Sequence, residues 1–249
     1  MSKQIGSNWD SLSNFFSNKE EKLNILEEEI DLTVQNEYFN IVQELRQNKQ
    51  EFEHLSSLYI KEIDNLFDEA VDIEIKKRML VVLANVENIS VYRTIETFSK
   101  LDTPLKKWAV IALQQSRIVL QSTLLDDPGI FISSGLGGQG KLLRFFCVFF
   151  YQNKEALPEF QQQTIYNETE IAIKPYNGTV EQVQYFEEYC TMLLLLPLNV
   201  EMKNLFEKII DECNLYGNFL QKNIIITNIK KLSEQEIAEI LQTRKQKSR

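Results

Sequence analysis

Glycine and proline are scarce in this 249-residue chain, with eight and five copies. No proline precedes Pro104, and only Gly6 precedes Gly129. With so few backbone breakers, the first half reads as helix almost throughout. Histidine occurs once, as His54, on a polar helical stretch (Glu51-Phe-Glu-His54-Leu55). A lone imidazole anchors no metal site and no Ser-His-Asp set, so it reads as a surface residue. The three cysteines, Cys147, Cys190 and Cys213, are too few and scattered for a disulfide framework or a CxxC site. They read as reduced packing residues. Long apolar runs are missing too. The most apolar stretches, residues 142–150 and 192–198, fall well short of the ~20 residues that a spanning helix needs. The N-terminal segment carries no apolar stretch of signal-peptide type, so a soluble, cytoplasmic protein is the expectation. The sequons at Asn167 and Asn177 then carry no meaning. Positive charge is in deficit: 27 Lys and Arg against 36 Asp and Glu give a net charge of −9. A body of that charge has no broad basic face for nucleic acid.

What is present is helical periodicity. Residues 18–31 look acidic and amphipathic, with Leu23, Ile25, Leu26 and Ile30 as the apolar set. Residues 37–47, 50–69 and 88–100 follow as further amphipathic helices. The chain also writes one short helix twice, thirty residues apart. Asp72-Ile-Glu-Ile75-Lys76-Lys77-Arg-Met79-Leu-Val-Val-Leu83 aligns without a gap onto Asp102-Thr-Pro-Leu105-Lys106-Lys107-Trp-Ala109-Val-Ile-Ala-Leu113. A fixed period of that size signals stacked supersecondary units that bury their apolar faces against each other. Asp72 and Asp102 are placed as N-caps, and Pro104 sits where a helix start tolerates it. The Lys-Lys pairs should face solvent, while Ile75/Leu105, Met79/Ala109 and Leu83/Leu113 pack inward.

On these residues the segment resembles a HEAT-type repeat of the short kind, over roughly residues 57–120. Asp102, Leu105, Lys106, Ala109, Ala112 and Leu113 match its second helix, as do Asp72, Ile75, Lys76 and Leu83 less fully. Met79 and Val82 replace the alanines in the first copy. The resemblance implies a protein-interaction scaffold and brings no catalytic residues with it.

The character changes near Asp126-Asp127-Pro128-Gly129. Five of the eight glycines fall within 129–140. Residues 130–133, 142–150, 180–187, 189–198 and 224–227 read as strands, and 153–168 and 201–216 as helices, with Gly217 as a C-cap. Ser233-Glu-Gln-Glu236 is a capping box opening a last helix at 234–241. The expected fold class is α+β: a helical, HEAT-like region at 1–126, a smaller α+β domain with a short antiparallel or mixed sheet at 127–242, and a flexible basic tail at 243–249.

The sharpest local motif is Gly135-Leu-Gly137-Gly138-Gln-Gly140-Lys141, which satisfies G-x-x-x-x-G-K. In such a loop, glycines turn successive amides toward phosphates and the lysine neutralises their charge. Leu142 stands where a Ser or Thr should hold a magnesium ion, and a strand follows in place of the required helix. A strand connection, or a contact loop using Lys141 and Arg144, explains the glycines as well. Paired carboxylates such as Glu187-Glu188 read as solvated faces. The tail cations Arg244, Lys245, Lys247 and Arg249 form either a solubilising end or an anchor to RNA, a ribosome or a lipid surface. No residue pattern calls for a cofactor, a metal or an enzyme. The expected function is therefore protein binding through Lys76, Lys77, Lys106, Lys107 and Trp108 on the stacked helices, and through the glycine-rich loop. A nucleotide- or anion-binding loop, or ribosome and RNA association through the tail, is the alternative.

Overall fold

A computed structural model describes residues 23–125, 130–153 and 155–247, with the backbone alone at 124–125 and 244–247. Eight α-helices and seven strands are found among these residues, in an α+β arrangement with helices first and the main sheet second. Contacts divide the chain between Lys141 and Leu142, so the 130–141 segment belongs to the helical unit.

That unit holds β1 (Leu23–Ile25), α1 (Leu32–Gln47), α2 (Lys49–Lys61), α3 (Ile73–Ala84), α4 (Ile89–Ser99), α5 (Lys106–Leu125), β2 (Ile130–Ile132) and the two-residue β3 (Gly138–Gln139). Helix α3 is its axis. The run from Met79 to Ala84 is fully buried on every side, because α1, α2, α4 and α5 all pack against it. A helix apolar all round must be interior. Each such leucine or valine removed from water contributes about 1.5–3 kcal/mol. Asp72 caps α3 as the sequence suggests, its carboxylate accepting from Glu74 N at 2.8 Å.

Three expectations for this unit need correction. Residues 18–31 were expected to form a helix. Instead Leu23–Ile25 is a strand pairing in parallel with β2, Leu23 opposite Ile130, and 26–31 is irregular. Residues 18–22 lie outside the described set. Asp102 does not cap α5, which opens at Lys106 with Ala109 N bonded to Leu105 O. Pro104 disfavours helical geometry at Thr103, so the helix cannot begin beside Asp102. Ile75 does not pack inward but is 49 % exposed, whereas Leu83, Leu105, Met79 and Ala109 are buried and Leu113 lies against the same core.

The second unit contains β4 (Leu142–Tyr151), α6 (Glu159–Ile173), β5 (Thr179–Tyr185), β6 (Tyr189–Pro197), α7 (Met202–Asn214), β7 (Leu220–Thr227) and α8 (Glu234–Lys247). Its four long strands are antiparallel in the order β7-β4-β6-β5. The register runs from Leu142 opposite Pro197 to Phe150 opposite Tyr189. Helices α6 and α7 pack together, with Phe206 of α7 meeting Phe149 at 5.9 Å. Almost every residue of β4 and β6 is buried, which explains why both read as unbroken apolar runs without alternation. Helix α6 starts later than expected, after Pro158, and α7 ends before Gly217, which takes a positive φ of 139° in the exit turn.

The capping box forms as expected. Ser233 N donates to Glu236 Oε2 at 2.9 Å, and Glu236 N donates to Ser233 Oγ at 3.3 Å. A hydrogen bond from Lys230, with those from Ser233, lowers the Glu236 carboxyl to about 2 from an ordinary 4.5. A depressed acid stabilises the fold above its unfolded value and loses that contribution as pH falls. The first turn of α8 should therefore loosen between pH 4.5 and about 2. Carboxyl NMR of Glu236 checks this: its midpoint should lie near 2 and move upward in Ser233→Ala. Helix α8 runs on to Lys247, so Arg244, Lys245 and Lys247 lie on a helix and not on a separate tail, while Arg249 is outside the described residues.

Candidate functional site

The glycine segment is built as a clamp on the chain's own residues 27–30. Gly138 N donates to Glu27 O at 3.2 Å, Gly140 N to Glu27 Oε1 at 2.9 Å and Gly137 N to Ser134 O at 3.2 Å. In return Gly135 O accepts from Ile30 N at 3.1 Å. Gln35 closes the turn, its side-chain amide donating to both Ile30 O (2.8 Å) and Ser134 O (3.0 Å). The Lys141 ammonium donates to Leu23 O. Three of the amides that a phosphate loop would offer, those of Gly137, Gly138 and Gly140, are thus engaged, and a carboxylate stands at Gly140. Millimolar Mg-ATP or GTP is accordingly expected to leave the melting temperature unchanged, where ligand at about 100 times its Kd would add about 2.7 kcal/mol. A shift lost in Lys141→Ala would contradict this.

Arg144 belongs to the other unit. Its guanidinium grips Glu181 with two bonds, Nε–Oε2 at 2.7 Å and Nη2–Oε1 at 3.1 Å. The clustered glycines, Lys141 and Arg144 thus serve two separate internal contacts.

The repeat lysines also divide. Lys77, with a side chain only 18 % exposed, bridges Glu74 at 2.8 Å and Glu37 at 3.4 Å. Its Nζ lies 5.0 Å from the centre of the Trp108 ring. The hydrogen bond to Glu74 holds this ammonium above its ordinary value. Trp108 itself is buried, 5.7 Å from Tyr38, and is a core residue, not an exposed anchor. Lys76 is half-buried, and Lys106 and Lys107 are exposed.

The four lysines nevertheless share one end of the bundle. Short connections at 85–88 and 100–105 reverse the chain, so α3 and α5 start where α4 ends, as the Lys77–Trp108 contact requires. At this end the periodicity conceals a set of exposed apolar side chains: Phe67 (41 %), Ile73 (43 %), Ile75 (49 %) and Leu101 (40 %). Phe67 meets Phe98, near the end of α4, edge-on at 5.5 Å. Spacing does not single them out, since Leu80 and Val82 stand in the same relation on this helix and are both fully buried.

His54 is exposed on α2. All three cysteines are free and buried, and burial pushes the Cys190 and Cys213 thiols up to about 12. Among the described residues, no three His, Cys, Asp or Glu side chains gather to hold a metal ion, and no helix is long and apolar enough to cross a membrane. A groove of about 390 Å³ lies between the sheet and the start of α8, lined by Phe146, Leu193, Gln182 and Gln184 of the strands and Ile237 of the helix.

No protein-family model matches this chain, and comparison with the curated proteins finds no match.

Proposed function

We propose that the protein is a non-enzymatic interaction module, an adaptor or scaffold whose helical unit docks a protein partner at the end of the bundle where α3 and α5 begin. One observation carries this reading. Four large apolar side chains, Phe67, Ile73, Ile75 and Leu101, are each at least 40 % exposed there, beside the exposed cations Lys106 and Lys107. Exposed apolar side chains set among charged ones at one end of a helical unit fit the composition of a protein-binding face. The HEAT-like resemblance of residues 57–120 points to the same use. The glycine segment supports this face only indirectly, by fixing residues 27–30 within the unit.

Affinity capture with wild type against Ile73→Asp with Leu101→Asp, and separately against Lys106→Glu with Lys107→Glu, tests the assignment. These positions are exposed, so stability should change by no more than about 0.5 kcal/mol each. Partner recovery should nonetheless be lost in the first variant and weakened in the second. Recovery equal to wild type in both rejects this surface.

A further inference from the structure

Strand β5 ends the sheet. It pairs with β6 on one side and, among the described residues, with no strand on the other. The ladder phase follows from the Phe186 N to Tyr189 O bond at 2.9 Å, because antiparallel bonding recurs at alternate residues. Gln184 and Gln182 therefore direct their backbone groups to β6, while Val183 and Tyr185 direct theirs outward. Such a row of open amides and carbonyls is a template for another strand.

Edges are commonly guarded by lysine or proline, and Thr-Val-Glu-Gln-Val-Gln-Tyr contains neither. Its only irregularity is a bulge between Val180 and Gln182, which leaves residues 182–185 regular. Its single charge, Glu181, is already neutralised by the two bonds from Arg144, both side chains being about a quarter exposed. The one group that would repel an identical strand is thus answered within its own chain.

We infer that the protein forms a two-fold dimer in which β5 pairs antiparallel with β5 of a second copy, joining two sheets into one. The strand's sequence selects the register. Centred on Val183, the pairing sets Gln182 opposite Gln184 of the partner subunit, amide facing amide. Glu181 then meets Tyr185 of the partner subunit. Centred one residue later, it would set Gln182 and Glu181 opposite positions 186 and 187 of the second copy, past the end of its strand at Tyr185, so fewer strand residues would pair. The contact is isologous and closes at two copies.

Light scattering on a sizing column across a concentration series tests this with the full chain. The wild type should move from 29.2 kDa toward twice that mass as concentration rises. Gln182→Lys with Gln184→Lys places like charges face to face twice across the axis, on exposed side chains, and should weaken the dimer about tenfold. Gln182→Lys with Gln184→Glu places opposite charges face to face in the same register and should dimerise at least as well as wild type. A mass of 29.2 kDa for wild type at every concentration overturns the proposal. A double-lysine variant that dimerises as wild type does so too, and a Lys/Glu variant that stays monomeric overturns the register.

Discussion

Replacing Trp108 by alanine is expected to lower the stability of the helical unit by about 3–5 kcal/mol, the range for removing a large aromatic from a packed interior. The ring is 4 % exposed on the second helix of the thirty-residue repeat, 5.7 Å from the fully buried Tyr38. Burial pushes the Tyr38 hydroxyl well above its ordinary range. Among the described residues its oxygen has no hydrogen-bond partner, and the ring is packed against Trp108 and Phe39. Deleting the indole removes part of that packing and the face over which Lys77 sits, while Lys77 keeps its bonds to Glu74 and Glu37. The dominant loss is therefore the cavity, with a cation–π contribution of at most about 1 kcal/mol for a partly exposed lysine. Against a typical total stability of about 5–15 kcal/mol, the loss is large. Urea melts followed by far-ultraviolet circular dichroism measure it. Ile75→Ala, on the neighbouring helix but 49 % exposed, serves as the contrast, with a change of about 0.5 kcal/mol or less. A loss below about 1 kcal/mol in Trp108→Ala would mean that the repeat helices do not share an interior.

The parts of this architecture that the chain spells out are those governed by neighbours in sequence. Asp72 caps α3 because its carboxylate reaches an amide two residues on, and Ser233 and Glu236 cap each other across three residues. Strands β4 and β6 are evident because both faces are covered and every position is apolar. What was hidden is set by distant partners. Leu23, Ile25, Leu26 and Ile30 suit a helical stripe as well as an extended segment. The choice falls to β2, more than a hundred residues away, which supplies the hydrogen bonds that make Leu23–Ile25 a strand. The start of α5 was legible and misread, since Thr103 before Pro104 is disfavoured in a helix. The lysines illustrate the same limit within the candidate site. Lys76-Lys77 and Lys106-Lys107 are identical pairs in sequence, yet only Lys77 finds Glu37 from another helix and a tryptophan ring beneath it. The exposed Ile73 and Ile75 emerge only once the packing of α3 is known. The glycines between 135 and 140 read as a phosphate loop, a strand connection or a contact loop, and nothing in them pointed to the backbone of Glu27 and Glu28 as what they would meet.

That close approach makes Gly137→Ala the second large effect. Gly137 has φ of +66°, and a Cβ there would lie 2.4 Å from Glu27 O and 2.5 Å from Glu28 O. The left-handed conformation alone costs an alanine about 1–2 kcal/mol. The contacts are with backbone atoms, which no rotamer change relieves, so 27–28 must move away from the loop. Moving them stretches the Gly138–Glu27 and Ile30–Gly135 bonds together and loosens Gln35, which donates to both sides. The expected loss is about 3 kcal/mol or more, combining strain with broken buried hydrogen bonds. Gly140→Ala separates the two causes. Its φ is +60°, yet a Cβ there meets nothing within 4 Å, so it should cost only the conformational strain of about 1–2 kcal/mol. Equal losses for the two substitutions would show that positive φ, and not the pressure of residues 27–28, is why glycine stands at 137. A Gly137→Ala protein as stable as wild type would mean that the loop does not grip this segment at all.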